Sequence, residues 1–320
     1  MSTTLFDRLR ARFRRRPVTA AAVAAGPATD LPPAVDRIVI DQHALLASEY
    51  PLEFPAADAA TTSVLAAVAG IDLEGLAAQS PSLKGYDWTG YLRCSRSRVD
   101  RVQRALRQHT PAGGRVLDFG SYFGNFSLAL SAMGFRVDAV DSYLRYGDAL
   151  AGAVALQQSS GISVHDFAAV GHDLHGLGRG EYDAVLCGGV IEHIAHTPRL
   201  LLETVSSMLK PGGVLVLDTP NLGYLYKRLA LLEGRSIFPP ITDQYFTEIP
   251  FEGHHREYIP SELEWMLRAV GHEVLSVETF NYSVFGLTEV TGDDAAYFRQ
   301  MDADPALREV IMTVSRKPNA

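Results

Sequence analysis

Short apolar runs alternate with longer amphipathic stretches through the second two-thirds of the chain, and this alternation predicts strands and helices in turn. Arg115-Val-Leu-Asp-Phe119 has strand length and closes on Gly120, and the segment NFSLALSAMG that follows has helical spacing. Phe135 to Val140 forms a second strand ending at Asp141. A third begins at Ile162 and ends at Asp166-Phe167, and Tyr182 to Cys187 forms a fourth that runs into Gly188-Gly189. A helix from about Pro198 to Leu209 stops at Lys210-Pro-Gly-Gly213, and Val214 to Leu217 makes a fifth strand. Runs such as VLVL are apolar on both faces, as buried parallel strands must be. The fold class this predicts is α/β, a mostly parallel, doubly wound sheet with helices on both faces.

Upstream the pattern changes. Residues 36–110 read as a helical segment, clearest in VLAAVAGIDLEGLAA and RSRVDRVQRALRQ. Residues 1–35 read as a basic arm and linker ending in the Pro- and Ala-rich GPATDLPP. Residues 111–320 form the main domain, with 222–259 as an insertion after the fifth strand. That insertion is rich in aromatics and Pro and would lie over the strand tips as a lid or acceptor wall. Beyond it, Ser261 and Glu264 have the spacing of a helix capping box.

Charge narrows the choice of partner. The arm LFDRLRARFRRR carries about +5, so the formal −8 of the whole chain leaves about −13 on the rest. A body that acidic is ill suited to a nucleic-acid backbone, which is held by Lys and Arg. The arm itself has three readings: a disordered tail, a helix making weak contact with a membrane surface or a partner, or a targeting peptide. The two cysteines, Cys94 and Cys187, have no CxxC partners, which argues against thiolate zinc and disulfide frameworks and for a reducing, cytoplasmic setting. No apolar run approaches the roughly 20 residues that span a bilayer.

Ligands of open α/β sheets bind beyond the carboxyl ends of the strands. Gly120 and Gly124 allow a sharp turn and a close approach there. Asp141 offers a carboxylate for ribose hydroxyls, and Asp166-Phe167 a polar contact and an aromatic surface for adenine. Ser121, Ser142 and Gly188 neighbour these tips, and the set describes an adenosine-containing ligand.

VLDFGSYFGNFS, VDAVDSY, HDFA, YDAVLCGGVIEHI and LKPGGVLVLDTPN together resemble the motif series of class I S-adenosylmethionine-dependent methyltransferases. The resemblance covers roughly residues 110–280 and the strand near 309–315. It implies a Rossmann-like seven-stranded sheet with a reversed final hairpin, with S-adenosyl-L-methionine as cofactor. Asp118 and Gly120 would flank its methionine part, Asp141 its ribose, and Asp166 with Phe167 its adenine. The usual Gly-x-Gly-x-Gly turn reads Gly120-Ser-Tyr122-Phe-Gly124 here, so Tyr122 must turn away from the cofactor or cover it. A nicotinamide oxidoreductase shares the Gly-rich turn and the acidic strand end, but Asp118 and the Lys210-Pro-Gly-Gly213 turn favour the methyltransferase. An inactive cofactor-binding scaffold is the non-enzyme alternative.

TPN, GHHREY and SELEWMLRAVGHEV resemble bacterial enzymes that methylate hydroxyls of sugars, quinone precursors and other small metabolites. The expected reaction is therefore O-methylation of a small molecule or saccharide. His193 is the first candidate base and His254 the second. Glu192-His193 with His254 or His255 also resembles part of the metal site of small-RNA 2′-O-methyltransferases, which would imply Mg or Mn held by Glu192, His193 and His254. Their upstream glutamate is Gly189 here. The alternative is that His254 and His255 orient the lid by ordinary hydrogen bonds.

Overall fold

The computed structural model describes residues 37–40, 42–69, 87–170, 174–238, 240–246, 251, 253–283 and 289–319. The basic arm and residues 70–86 lie outside them. The N-terminal segment contributes β1 (Arg37–Val39), α1 (Gln42–Glu49), α2 (Phe54–Val68) and α3 (Trp88–His109). The alternating part follows as β2 (Arg115–Phe119), α4 (Asn125–Ala132), β3 (Arg136–Asp141), α5 (Ala151–Ser159), β4 (Ser163–Asp166) and α6 (Phe167–Val170). Next come β5 (Tyr182–Gly188), α7 (Pro198–Met208), β6 (Leu209–Pro220), α8 (Leu225–Leu232) and α9 (Ile241–Tyr245). The chain closes with α10 (Pro260–Ala269), β7 (Glu273–Phe280), β8 (Glu289–Thr291), α11 (Asp293–Ala303) and β9 (Val310–Arg316).

Seven strands form one sheet in the order β4-β3-β2-β5-β6-β9-β7. The pairs among β2 to β6 are parallel, and β9 runs antiparallel to both β6 and β7. The expected Rossmann-like sheet with its reversed final hairpin is therefore present. The chain order reverses at β2, from which β3 and β4 lie to one side and β5 to the other, and this opens a crevice at the carboxyl ends.

Alternation along the strands fills two cores. Val116, Ala184, Leu186, Val214 and Val216 face one way, into a cluster with α2, α3, α4 and α5. Leu117, Val185, Cys187, Leu215 and Leu217 face the other, against α7 and α10. Helix α2 lies outermost on the first face, against α3, α4 and α5.

Two local expectations need correction. The helix at 260 is capped from Ile259, whose backbone N–H donates to Glu262 Oε2 at 3.1 Å, so Ser261 and Glu264 are not its box. Pro260 sets the first helical φ, which places Glu262 at the third position; Glu264 pairs instead with Arg268 at 2.7 Å. Secondly, β6 begins at Leu209, so the Lys210-Pro-Gly-Gly213 stop lies inside the strand, with Gly212 at φ +76°. Residues 222–259 follow β6 in the chain and contain α8 and α9.

Candidate active site

The first turn is built by two left-handed glycines. Gly120 (φ +83°) ends β2, where a Cβ would stand 2.3 Å from Val190 Cγ2. Gly124, also at +83°, starts α4, where a Cβ would stand 2.3 Å from Gln157 Cδ. Tyr122 is left-handed as well (φ 44°), unusual for a bulky residue. Its ring packs among Trp88, Phe123 and Tyr146, with centroids 5.4, 4.3 and 5.5 Å away. This aromatic cluster, supplied partly by α3, holds Tyr122 in the conformation a glycine would adopt unaided.

Asp118 is buried at the tip of β2 and accepts from Ser127 Oγ at 2.6 Å. Burial pushes its carboxyl up to about 7. Asp141 and Asp218 add to the rise, and the hydrogen bonds from Ser127 oppose it. At the tip of β3, Asp141 accepts from the backbone N–H of Tyr122 at 2.8 Å and of Ser142 at 2.7 Å. Asp166 accepts from the backbone N–H of Leu144 at 2.6 Å and of Ala168 at 2.8 Å. Phe167 stands edge to face with Phe119 at 5.8 Å. The Ser121 hydroxyl is turned inward to Tyr143 at 2.7 Å. Gly188 ends β5 beside Asp218, and a Cβ there would be in ordinary contact at 3.4 Å.

After β5 the chain makes a tight turn over Ile191–His193, and His193 N–H donates to Val190 O at 2.9 Å. Glu192 is buried there and accepts from Thr219 Oγ1 at 2.9 Å. Burial raises its carboxyl, against the pull of His193. The segment just before α10 docks on this turn: His255 N–H donates to Glu192 O at 2.7 Å and Arg256 N–H at 3.4 Å. That docking brings His254 edge to face with His193, with ring centroids 4.8 Å apart. One ligand-type atom each from Glu192, His193 and His254 lies within 4.8 Å of the others. His255 is directed elsewhere, to Phe251 O at 2.9 Å.

Two residues escaped the sequence reading. Arg98 of α3 reaches Asp218 of β6 with Nε–Oδ2 at 3.1 Å and Nη2–Oδ1 at 2.5 Å, both side chains being buried. Gly189 (φ +67°) lies against this pair, and a Cβ there would come 3.2 Å from Arg98 Nη2. The available signal was an arginine on an otherwise apolar face of RSRVDRVQRALRQ, together with an aspartate ending VLVLD.

Residues 91–277 match the sequence model of a family described as "Methyltransferase domain". The chain belongs to that family. It is an S-adenosylmethionine-dependent methyltransferase, and the nicotinamide reading falls. The chain is 30% identical over 186 residues to the ubiquinone biosynthesis O-methyltransferase of Xanthomonas axonopodis pv. citri (strain 306), covering 57% of this chain and 72% of that protein. The protein of the same name from Burkholderia thailandensis is 28% identical over 177 residues, covering 54% and 70%. Among solved structures, the S-adenosylmethionine-dependent methyltransferase from Mesorhizobium loti aligns at 20% identity with a TM-score of 0.45, covering 67% of this chain and 96% of that one. Among the described residues, no helix of this methyltransferase is long and apolar enough to cross a membrane.

The residues present suit the cofactor. Asp118 would supply a buried carboxyl group for a cationic amino group, Asp141 a carboxylate for ribose hydroxyls, and Phe167 an apolar flank for adenine. Left-handed Gly120 and Gly124 open the turn between them.

Proposed function

We propose that this methyltransferase methylates a hydroxyl oxygen of a small-molecule acceptor, with His193 as the proton acceptor and His254 beside it. The observation that carries the reading is the meeting of His193 and His254 next to β5, where the tips of the central strands end. The bound cofactor supplies an activated methyl group on sulfur. What the protein must add is alignment of the acceptor oxygen and removal of its proton. An imidazole nitrogen of His193 or His254 suits the second task at neutral pH. Asp118, Gly120, Gly124, Asp141, Ser142, Asp166, Phe167 and Gly188 are proposed to hold the cofactor, Ser121 contributing through the turn.

Relatives named for O-methylation in ubiquinone biosynthesis support a small metabolite, and a saccharide hydroxyl would serve the same chemistry. The segment 222–259 would be the acceptor wall: Phe238, Ile241, Tyr245 and Phe246 are exposed on it, a supply of apolar side chains for an aromatic or aliphatic acceptor. An RNA acceptor is disfavoured by the acidic body.

The convergence of Glu192, His193 and His254 also favours a second reading, a Mg or Mn ion held by these three and by acceptor oxygens. A glutamate at position 189 would have supplied a further ligand, but Arg98 crowds that position.

The test uses 3,4-dihydroxybenzoate as a catechol probe and S-adenosylhomocysteine for cofactor affinity. In His193→Ala, turnover should fall by roughly 10²–10⁴-fold while cofactor affinity stays unchanged. Unchanged turnover removes His193 from the mechanism. Exhaustive chelation separates the second reading: activity lost in chelator and restored by Mn supports the ion, and full activity in chelator removes it.

A further inference from the structure

His254 is held from behind. Its Nδ1 lies 2.9 Å from Glu257 Oε1, and the other carboxylate oxygen forms a close ion pair with Lys227 Nζ. The Glu257 and Lys227 side chains are only 10% and 12% exposed. Lys227 comes from α8, in a different part of the insertion, and its ammonium also reaches Asn221 O at 3.4 Å. The backbone fixes both ends of this chain of contacts. Leu222 N–H donates to Tyr258 O at 2.8 Å, Asn221 bridges to Tyr258, and His255 N–H is tied to Glu192 O at 2.7 Å.

We propose that Glu257 and Lys227 are positioning residues that set the tautomer and the aim of His254, an inference that rests on the proton-acceptor reading above. An ionised carboxylate can only accept. Nδ1 of a neutral His254 must therefore carry the hydrogen, which gives the acceptor lone pair to Nε2. A carboxylate on the far nitrogen both orients an imidazole and stabilises the proton it gains. Lys227 pairs with that carboxylate and holds it in place. Because Lys227 sits on α8, the ring is in its working form only while α8 is docked. Packing of the acceptor wall and readiness of the base thus become one event.

The experiment uses the full chain with ¹⁵N-labelled histidine, the His254 signals being assigned from His254→Gln. Long-range ¹H–¹⁵N correlations report which ring nitrogen carries the hydrogen. Wild type should show His254 as the Nδ1–H form. Glu257→Gln and Lys227→Met should each shift it toward Nε2–H without changing affinity for S-adenosylhomocysteine, which also certifies the fold. Turnover of 3,4-dihydroxybenzoate should fall roughly 10–100-fold in each variant, and neither substitution should lower it further in a His254→Gln background. A wild-type His254 in the Nε2–H form, or a tautomer unmoved in both variants, overturns the proposal. If the tautomer shifts as expected but His254→Gln keeps full turnover, the brace stands and the proton-acceptor role of His254 falls.

Discussion

Arg98 and Asp218 form a doubly hydrogen-bonded ion pair between the long N-terminal helix and the tip of the fifth core-sheet strand in chain order, β6. Asp218 is 0% exposed and Arg98 is 6% exposed. The guanidinium also donates from Nη1 to Tyr91 OH at 3.2 Å and lies 5.5 Å from the Phe126 ring centroid. Helix α3 is thereby part of the catalytic domain's floor: it supplies the cation beneath a site whose other buried ionisable groups, Asp118 and Glu192, are acidic.

Removing the cation should cost far more than a surface ion pair would. Arg98→Met keeps the stem but strands the Asp218 carboxylate in a dry interior. The expected loss is about 3–5 kcal/mol, read from urea unfolding. Adding Asp218→Asn to Arg98→Met should recover much of it, because a neutral amide costs less to bury than an unpaired charge. Equal stability of the single and double variants would mean that the pair does not carry the interaction.

Gly120 offers a steric test of the cofactor turn. Gly120→Ala forces a Cβ into a left-handed residue (φ +83°) and to within 2.3 Å of Val190 Cγ2. The backbone term alone is about 1–2 kcal/mol, and relief of the clash must move Val190, which directly precedes the Ile191–His193 turn. We expect weaker S-adenosylhomocysteine binding by calorimetry and, in the same variant, a loss of turnover larger than the loss of affinity. Gly134→Ala is the control: at φ +87° it carries the same backbone term, but nothing lies within 4 Å of its Cβ.

Much of this fold was legible in the chain because it is repetitive. The central strands β2, β5 and β6 carry apolar runs buried on both faces, and β2 to β5 end at or just before Gly120, Asp141, Asp166 and Gly188, residue types that are rare inside a strand. The meeting of Glu192 and His193 with His254 could be anticipated from the resemblance of the flanking motifs. What periodicity could not supply were pairings that depend on tertiary docking. Arg98 finds Asp218 across the whole first half of the domain, and Lys227 finds Glu257 only because the insertion folds back on itself. Tyr122 illustrates the same limit. A tyrosine at a left-handed position contradicts local preference, and it is held by Trp88 and Tyr146, which come from elements on either side of it. The Ser261 cap failed for a local reason, since Pro260 is the first helical residue and moves the cap two positions earlier, to Ile259.

Asp118 predicts a pH dependence for cofactor binding. Its folded-state carboxyl is raised from an ordinary 3.8 to about 7. The free protein holds that proton between the two values, so the group favours the folded state at low pH and loses this contribution as pH rises through about 7. A cationic amino group favours the ionised form. S-adenosylhomocysteine should therefore bind more tightly at about pH 8 than at about pH 6, with proton release on binding in the lower range. Asp118→Asn should bind more weakly throughout and lose the slope. A wild-type affinity flat across pH 6 to 8 would show that Asp118 does not face the amino group.

His272 predicts acid sensitivity of the fold itself. It sits before β7, far from the strand tips, with Nε2 2.8 Å from Ser206 Oγ and Nδ1 3.0 Å from Ser315 Oγ. Burial pushes its imidazole down from 6.5 to about 4, and the positive charge of Lys317 acts in the same direction. Between those values the unfolded chain takes up a proton that the folded protein refuses. Stability must therefore rise with pH across that window and level off above about 6.5. Asp118 tilts the curve the opposite way from about 4 to 7, so the raw profile of the wild type mixes the two. The difference between wild type and His272→Gln isolates the histidine. Urea midpoints at about pH 5 and about pH 7.5 should show the variant losing less stability on acidification than wild type, while being the less stable protein at the higher pH, where the neutral ring's two hydrogen bonds are intact. Parallel curves would mean that His272 carries its proton in the folded protein, and that Ser206 and Ser315 both act as acceptors.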